Sequence, residues 1–213
     1  MPTPVHSVHI YADSHDLILH LSGIVTSSLV TGSSVVIIAT EQHQEHLVAD
    51  LLRVGIDVPQ YAQQGMYTMF DAEDLLASFM VGNKPDRYRF RSLIAPIVAT
   101  AREHSRNERR DITAFGEMVA LLYETGNKSA ALELEGLWNE LLRETPFRLH
   151  CGYPSRVFKH ESDATSVCDT HTSVLRTYSA HRWIEAVSAR DCNHHPRDET
   201  KSRGGQECPP RTR

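Results

Sequence analysis

The run Ser34-Val35-Val36-Ile37-Ile38-Ala39-Thr40 shows no hydrophobic–polar alternation, so it reads as a strand buried on both faces. Just before it, Leu17, Leu21, Ile24, Val25 and Leu29 follow the three-and-four spacing of one helical face. Asp13 or Ser14 can cap that helix, and Thr31-Gly32 ends it. The rhythm then repeats. Thr40 is placed to cap a second helix with Leu47, Leu51 and Val54 turned inward, stopped by Gly55. Residues 66–70 (Met-Tyr-Thr-Met-Phe) read as a strand, after which Asp71 caps a helix carrying Leu75, Leu76 and Phe79. A helix over 86–103 contains Pro96 and is expected to kink there. A strand over 111–115 follows, then helices over 117–125 and 128–144 separated by Gly126, and a strand over 147–152. With 6–11 as the first strand, the two element types alternate along most of the chain.

That alternation predicts an α/β fold, a parallel sheet with helices on both faces in a three-layer sandwich. Ligands of such sheets bind at the carboxyl ends of the strands. Those ends fall near Asp13, Thr40-Glu41, Phe70-Asp71, Gly116-Glu117 and Gly152-Tyr153.

Composition narrows the picture. The 213 residues, 40% of them apolar, suffice for one domain with an appendage, expected over 5–178 and 179–213. Residues 179–213 carry seven Lys/Arg against five Asp/Glu, are rich in Pro, Gly and His, and hold few aliphatic side chains near their end. Such a stretch buries too little apolar surface to offset its ordering entropy, so a disordered polar tail is expected, with at most a weak helix around 181–189. A net charge of −5 and the lack of a basic face argue against direct nucleic-acid binding. The longest aliphatic stretch, Val35 to Ala39, is far short of a membrane span, and no secretory leader is visible, so a cytoplasmic protein without membrane contact is expected. All four cysteines (Cys151, Cys168, Cys192, Cys208) lie in the last third, which makes reduced thiols the expectation.

Several stretches together resemble one family. They are His6-x-x-His9-x-Tyr11, the 32–40 run leading to His43, Gly55-Ile56-Asp57-Val58 and Asp71-Ala72-Glu73-Asp74-Leu75-Leu76. Phe115-Gly116-Glu117-Met118-Val119, Leu134-Glu135-x-x-Trp138-Asn139-x-Leu141, Phe147-x-Leu149-x-Cys151-x-Tyr153-Pro154 and Cys168-x-x-His171 complete the set. In order and spacing they resemble the MEDS domain, a sensory domain of methanogens and methylotrophs also found in a dichloromethane-responsive repressor. That family is similar in turn to the circadian-clock ATPases of the RecA-like class. In those ATPases the first strand runs into a Gly-rich loop ending Gly-Lys-Ser/Thr that cradles phosphates. Here the same place reads Tyr11-Ala12-Asp13-Ser14-His15-Asp16, with no glycine, no lysine and two carboxylates. The resemblance therefore implies an ATPase-derived scaffold reused for sensing, with no enzymatic activity and no cofactor. It implies a small organic ligand, a hydrocarbon derivative, and a histidine kinase or transcription regulator as partner in trans. A ligand-free protein adaptor and a residual nucleotide-binding ATPase are the rival readings.

The candidate ligand-binding residues are His6, His9, Tyr11, His43, Phe115, Glu117 and Cys151. Glu117 follows a strand and a glycine, so its carboxylate can enter the strand-end cleft; it also suits the positive end of the next helix. His43-Gln44-Glu45-His46 matches neither helical zinc-protease motif, leaving His43 at the cleft rim. Cys151 with Cys168-x-x-His171 offers three metal-ligating side chains, and His6, His9 or His150 a fourth, but a cysteine in an apolar strand is commonly a small hydrophobe and one Cys-x-x-His arm falls short of a zinc site, so no metal is expected. The stripe Leu134, Leu137, Trp138, Leu141 reads as core, and residues 106–110 (Arg-Asn-Glu-Arg-Arg) as a solvated loop. No Gly-x-Ser-x-Gly nucleophile motif occurs.

Overall fold

In the computed structural model, residues 5–178, 182–183 and 187–188 are described. In chain order the elements are β1 (Val5–Tyr11), α1 (Ser14–Val30), β2 (Ser34–Ala39), α2 (Glu41–Arg53), α3 (Val58–Gln63), β3 (Tyr67–Asp71) and α4 (Ala72–Phe79). Then come β4 (Met80–Val81), β5 (Lys84–Pro85), α5 (Arg87–His104), β6 (Ile112–Gly116), α6 (Met118–Glu124), α7 (Lys128–Glu144) and β7 (Arg148–Pro154). A 3-10 turn (Ser155–Val157), α8 (Glu161–Cys168), β8 (Ser173–Tyr178), β9 (Arg182–Trp183) and β10 (Val187–Ser188) complete them.

Six strands form a parallel sheet in the order β8-β1-β7-β6-β2-β3, while β9 and β10 pair antiparallel with β8. The tail expected over 179–213 lies outside the described residues except at 182–183 and 187–188. Those four are extended rather than helical, since they take up hydrogen bonds of the β8 strand.

Alternate residues of each buried strand feed two cores. Val36 and Ile38 of β2 join Val8, Leu149, Cys151 and Tyr153 beneath helices α4 to α7. Val35, Ile37 and Ala39 join Tyr11, Phe115 and Tyr67 beneath α1 and α2. This is why β2 does not alternate: both its faces are covered. Helix starts follow the sequence. Asp13, Asp71 and Asp86 accept backbone N–H bonds at the N-termini of α1, α4 and α5 at 2.8 to 3.0 Å. Thr40 stands at the start of α2, yet its hydroxyl makes no cap bond and its own N–H is used elsewhere. α5 continues through Pro96. No helix among the described residues is long and apolar enough to cross a membrane.

Candidate functional site

The carboxyl ends of β1, β2 and β6 meet at one carboxylate. β6 stops at Gly116, and Glu117 donates its backbone N–H to Ile38 O at 3.1 Å, which ties the end of β6 to β2. From there the buried Glu117 side chain reaches into the opening of α2. Its Oε1 accepts the Thr40 N–H, one of the donors a helix start leaves without an internal partner. Its Oε2 accepts from His43 Nδ1 at 2.7 Å. A carboxylate only accepts, so Nδ1 carries the proton, and in the neutral ring Nε2 takes the Ser14 hydroxyl at 3.0 Å. Tyr11 stands edge-on to His43 with ring centroids 6.3 Å apart. Burial, reinforced by Glu117, pushes the Tyr11 phenol above its usual range, so the hydroxyl stays neutral.

These groups line a cleft of about 410 Å³. Its walls add Glu41, Asp71, Glu73 and Glu124, with Arg156 as the opposing cation. Arg156 is already held by Glu124 at 2.6 Å, so the cleft is acidic overall. It can hold a small molecule with hydrogen-bond donors or a positive charge. The order hydroxyl, imidazole, carboxylate is also that of an activated nucleophile.

Of the seven residues expected to bind ligand, the cleft gathers Tyr11, His43 and Glu117. Phe115 lies in the α1-side core, where its ring fills the space over Gly152: a Cβ there would come within 2.9 Å of Phe115 Cζ. His9 is buried on the α1 face beside His20 at 4.6 Å between centroids, with Nε2 3.3 Å from Thr177 Oγ1. His6 and Cys151 point to the opposite face of the sheet, under α7, where the structure places them beside His171 and Glu135. Cys168 stands apart from that group and is the acceptor of an Arg176 Nη2 bond at 3.4 Å. The sequence reading passed over two members of these sites, Ser14 as a partner of His43 and Glu135. Glu135 left one signal: it falls on the buried stripe of α7 with Ala131, Leu134 and Trp138.

Within the α7-side group, burial resists ionisation of Glu135. His171, His6 and the Tyr153 hydroxyl, which donates to Oε1 at 2.8 Å, outweigh it and hold the carboxyl below the usual range. Burial pushes the Cys151 thiol up, with Glu135 adding to it, and lowers His171 to about 4 against the pull of Glu135.

His9 makes a pH prediction. Burial first, then the neighbouring His20 and His150, bring its pKa from 6.5 down to about 3. His20 and His150 are lowered by burial too. A histidine neutral in the fold takes up a proton when the chain unfolds, so stability falls as pH drops below about 6.5 and the loss levels off near 3. His9 alone accounts for about 2 kcal/mol at about pH 5. Urea midpoints measured from pH 7 down to pH 5 will fall steadily in the wild type and less steeply in His9→Asn. Equal slopes would mean that His9 takes up a proton as readily in the fold as in the unfolded chain.

The parallel sheet between two helical layers, with its cleft at the strand ends, is a RecA-like α/β sandwich. Two solved structures of Pyrococcus horikoshii share it. One is an uncharacterised protein in complex with an unknown peptide: 15% identity, TM-score 0.62, covering 84% of this chain and 80% of that one. The other is a KaiC-like protein from strain OT3: 12% identity, TM-score 0.56, covering 86% and 78%. No curated protein matches the chain. Residues 5–172 match the family described as MEDS, MEthanogen/methylotroph, DcmR Sensory domain, and the chain belongs to that family.

Proposed function

We propose that this chain senses a small organic molecule in the strand-end cleft and reports occupancy to a separate protein, without catalysing a reaction. The observation that carries the reading is Glu117, a buried carboxylate whose two oxygens join the end of β6 to the first turn of α2 at the floor of a cleft of about 410 Å³. A ligand that draws on Glu117 or His43 competes for those bonds. It thereby changes how firmly α2 is tied to the sheet, and a partner histidine kinase or transcription regulator that prefers one arrangement reads the change. The acidic lining supports a hydrocarbon derivative with an amine or hydroxyl head over a bare hydrocarbon, and it disfavours a triphosphate. Among the described residues, the large exposed apolar side chains (Leu19, Val30, Leu52, Val54, Val81, Tyr88) are absent from the cleft walls, which weakens the reading as an adaptor docking there through an apolar patch.

The test is a melting series with short-chain amines, alcohols, haloalkanes and Mg-ATP. Ligand at a hundredfold over its dissociation constant adds about 2.7 kcal/mol of stability. The expected result is a rise with an amine or alcohol and none with ATP. A rise with ATP would overturn the loss of nucleotide binding, and no response to any organic compound would favour the adaptor. The neighbour crystallised with a peptide makes a peptide library the next probe in that case.

A second reading rests on Ser14, His43 and Glu117 standing in nucleophile order at 3.0 and 2.7 Å. It makes the cleft a hydrolytic site. Turnover of p-nitrophenyl acetate that disappears in Ser14→Ala would establish it, whereas equal rates in the two proteins would remove it.

A further inference from the structure

Beneath α7, on the opposite face of the sheet from α1, four side chains from four parts of the chain converge. His6 comes from β1, Glu135 from α7, Cys151 from β7 and His171 from the turn between α8 and β8. All four are buried, and their ligating atoms lie within 4.8 Å of one another. His6 Nε2 is 3.3 Å from Cys151 Sγ and 3.2 Å from Glu135 Oε2. Cys151 Sγ is 3.6 Å from Glu135 Oε2, and His171 Nε2 is 3.5 Å from Glu135 Oε1.

We propose that His6, Glu135, Cys151 and His171 form a closed structural site for a divalent transition metal, zinc first. Three observations carry it. The first is spacing: bonds of about 2.0 to 2.3 Å around a tetrahedral zinc put neighbouring ligand atoms roughly 3.3 to 3.8 Å apart. The three separations among His6 Nε2, Cys151 Sγ and Glu135 Oε2 run from 3.2 to 3.6 Å, and His171 closes the group within 4.8 Å.

The second is the orientation of the imidazoles. His171 Nδ1 donates its proton to Val167 O at 2.7 Å, which leaves Nε2 as a lone pair turned into the group, buried and without a hydrogen-bond donor. Asn139 gives its amide N–H to Thr170 O at 2.9 Å, so its Oδ1 faces His6 Nδ1 at 3.0 Å and fixes that proton. His6 Nε2 then faces the thiol and the carboxylate. A lone pair against a carboxylate oxygen in a buried space is repulsive unless a proton or a metal cation lies between them. Tyr153 completes the outer ring by donating to Glu135 Oε1 at 2.8 Å. Nearly every metal-bound histidine or carboxylate has such a second partner.

The third is charge. A thiolate and a carboxylate balance a divalent ion, and two neutral imidazoles fill the remaining positions, so the complete site is neutral, as deep burial demands. Mixed nitrogen, sulfur and oxygen ligands in fourfold arrangement suit zinc above magnesium or calcium. With all positions taken by protein and no solvent access, the ion would hold the chain together rather than activate water. It would pin the α8–β8 turn to β1, where Thr172 already exchanges hydrogen bonds with the His6 backbone at 2.6 to 3.0 Å.

The experiment is metal analysis of the full chain, purified with a thiol reductant and no chelator, followed by exchange with cobalt. The expected result is one zinc per chain. The cobalt form should show the intense visible bands of tetrahedral coordination and a thiolate-to-cobalt charge-transfer band. Cys151→Ser should lose the charge-transfer band, Asn139→Ala should weaken metal binding by about tenfold or more, and Cys168→Ser should keep both metal and spectrum. Should Cys151→Ser fail to fold, the wild-type cobalt spectrum decides the matter without it. Metal-free protein with no thiolate band and a melt unmoved by zinc would overturn the site and leave a proton-sharing cluster in its place. So would cobalt bound without thiolate.

Discussion

Glu117→Ala will lower stability by about 3 kcal/mol and abolish any ligand response of the cleft. Hydrogen bonds to a charged group contribute about 1.5 to 3 kcal/mol each. Glu117 makes two such bonds, to the Thr40 N–H and to His43, with its side chain only 3% exposed. Water entering the cleft can reach the freed Thr40 N–H, which keeps the loss at the lower end. For a domain of this size that is a fall in melting temperature of roughly 6 to 12 °C. Glu117→Gln separates charge from shape. Its single carbonyl oxygen can keep the Thr40 N–H, and its amide then donates to His43 Nδ1. That reverses the tautomer, so Nε2–H donates to Ser14 instead of accepting from it. Nitrogen NMR of His43 in the two proteins reads the switch directly. A wild-type tautomer and a wild-type ligand response in Glu117→Gln would show that the carboxylate does not organise the cleft.

Which parts of this arrangement the sequence discloses depends on how local the cause is. Strands β2 and β6 and helices α1, α4 and α7 are readable because each carries a run or a stripe with its own cap. The position of Glu117 is readable for the same reason, since a residue after Phe-Gly at the end of a buried strand stands at the strand-end cleft, although the sequence leaves its carboxylate two partners to choose from. The short helix α3 escaped: its Asp57 cap is plain, accepting from Gln60 N at 2.9 Å, but six residues with one buried side chain offer no periodicity. The β4–β5 hairpin escaped because two-residue strands show none either. β8 is a different case. Ser173–Tyr178 mixes polar and apolar residues, and only its pairing beside β1 makes it a sheet strand.

The buried cluster was half legible. Cys151, His171 and His6 are open to suspicion from residue type, whereas Glu135 takes the place the sequence offers to Cys168, and neither His9 nor His150 joins the group. A glutamate in a helix ordinarily faces water, and only its place on the apolar stripe of α7 gives it away. His9 and His6 are three residues apart in one strand and so lie on opposite faces of the sheet, which separates the α1-side histidines from the α7-side group. Pairing across the sheet then decides the rest: Val8 opposes Cys151, so Cys151 is carried to the same face as His6.

Trp138→Ala will be the most damaging core substitution of α7, at about 3 to 5 kcal/mol. Trp138 is 2% exposed and meets Phe90 of α5 edge-on, with centroids 5.0 Å apart and planes at 89°. Phe90 in turn meets Phe79 of α4 edge-on at 5.4 Å. The three rings join α4, α5 and α7 into one layer over the sheet, so truncation loses the transfer energy of an indole, leaves a cavity, and removes an aromatic pair worth a further ~0.5 to 1.5 kcal/mol. The expected fall in melting temperature is roughly 6 to 20 °C. Trp138→Phe keeps the ring contact and should recover more than half of that loss. The consequence reaches the polar group on the same helix. Glu135 is one turn before Trp138 and Asn139 is its neighbour, so a shift of α7 against the sheet displaces the carboxylate and the His6 partner together. Trp138→Ala should therefore retain less metal than wild type even where it remains folded, while Phe79→Leu, which thins the same aromatic layer on α4 away from that group, should lower the melt and keep the metal. Equal metal content in Trp138→Ala and wild type would mean that the truncation leaves α7, and Glu135 with it, in place over the sheet.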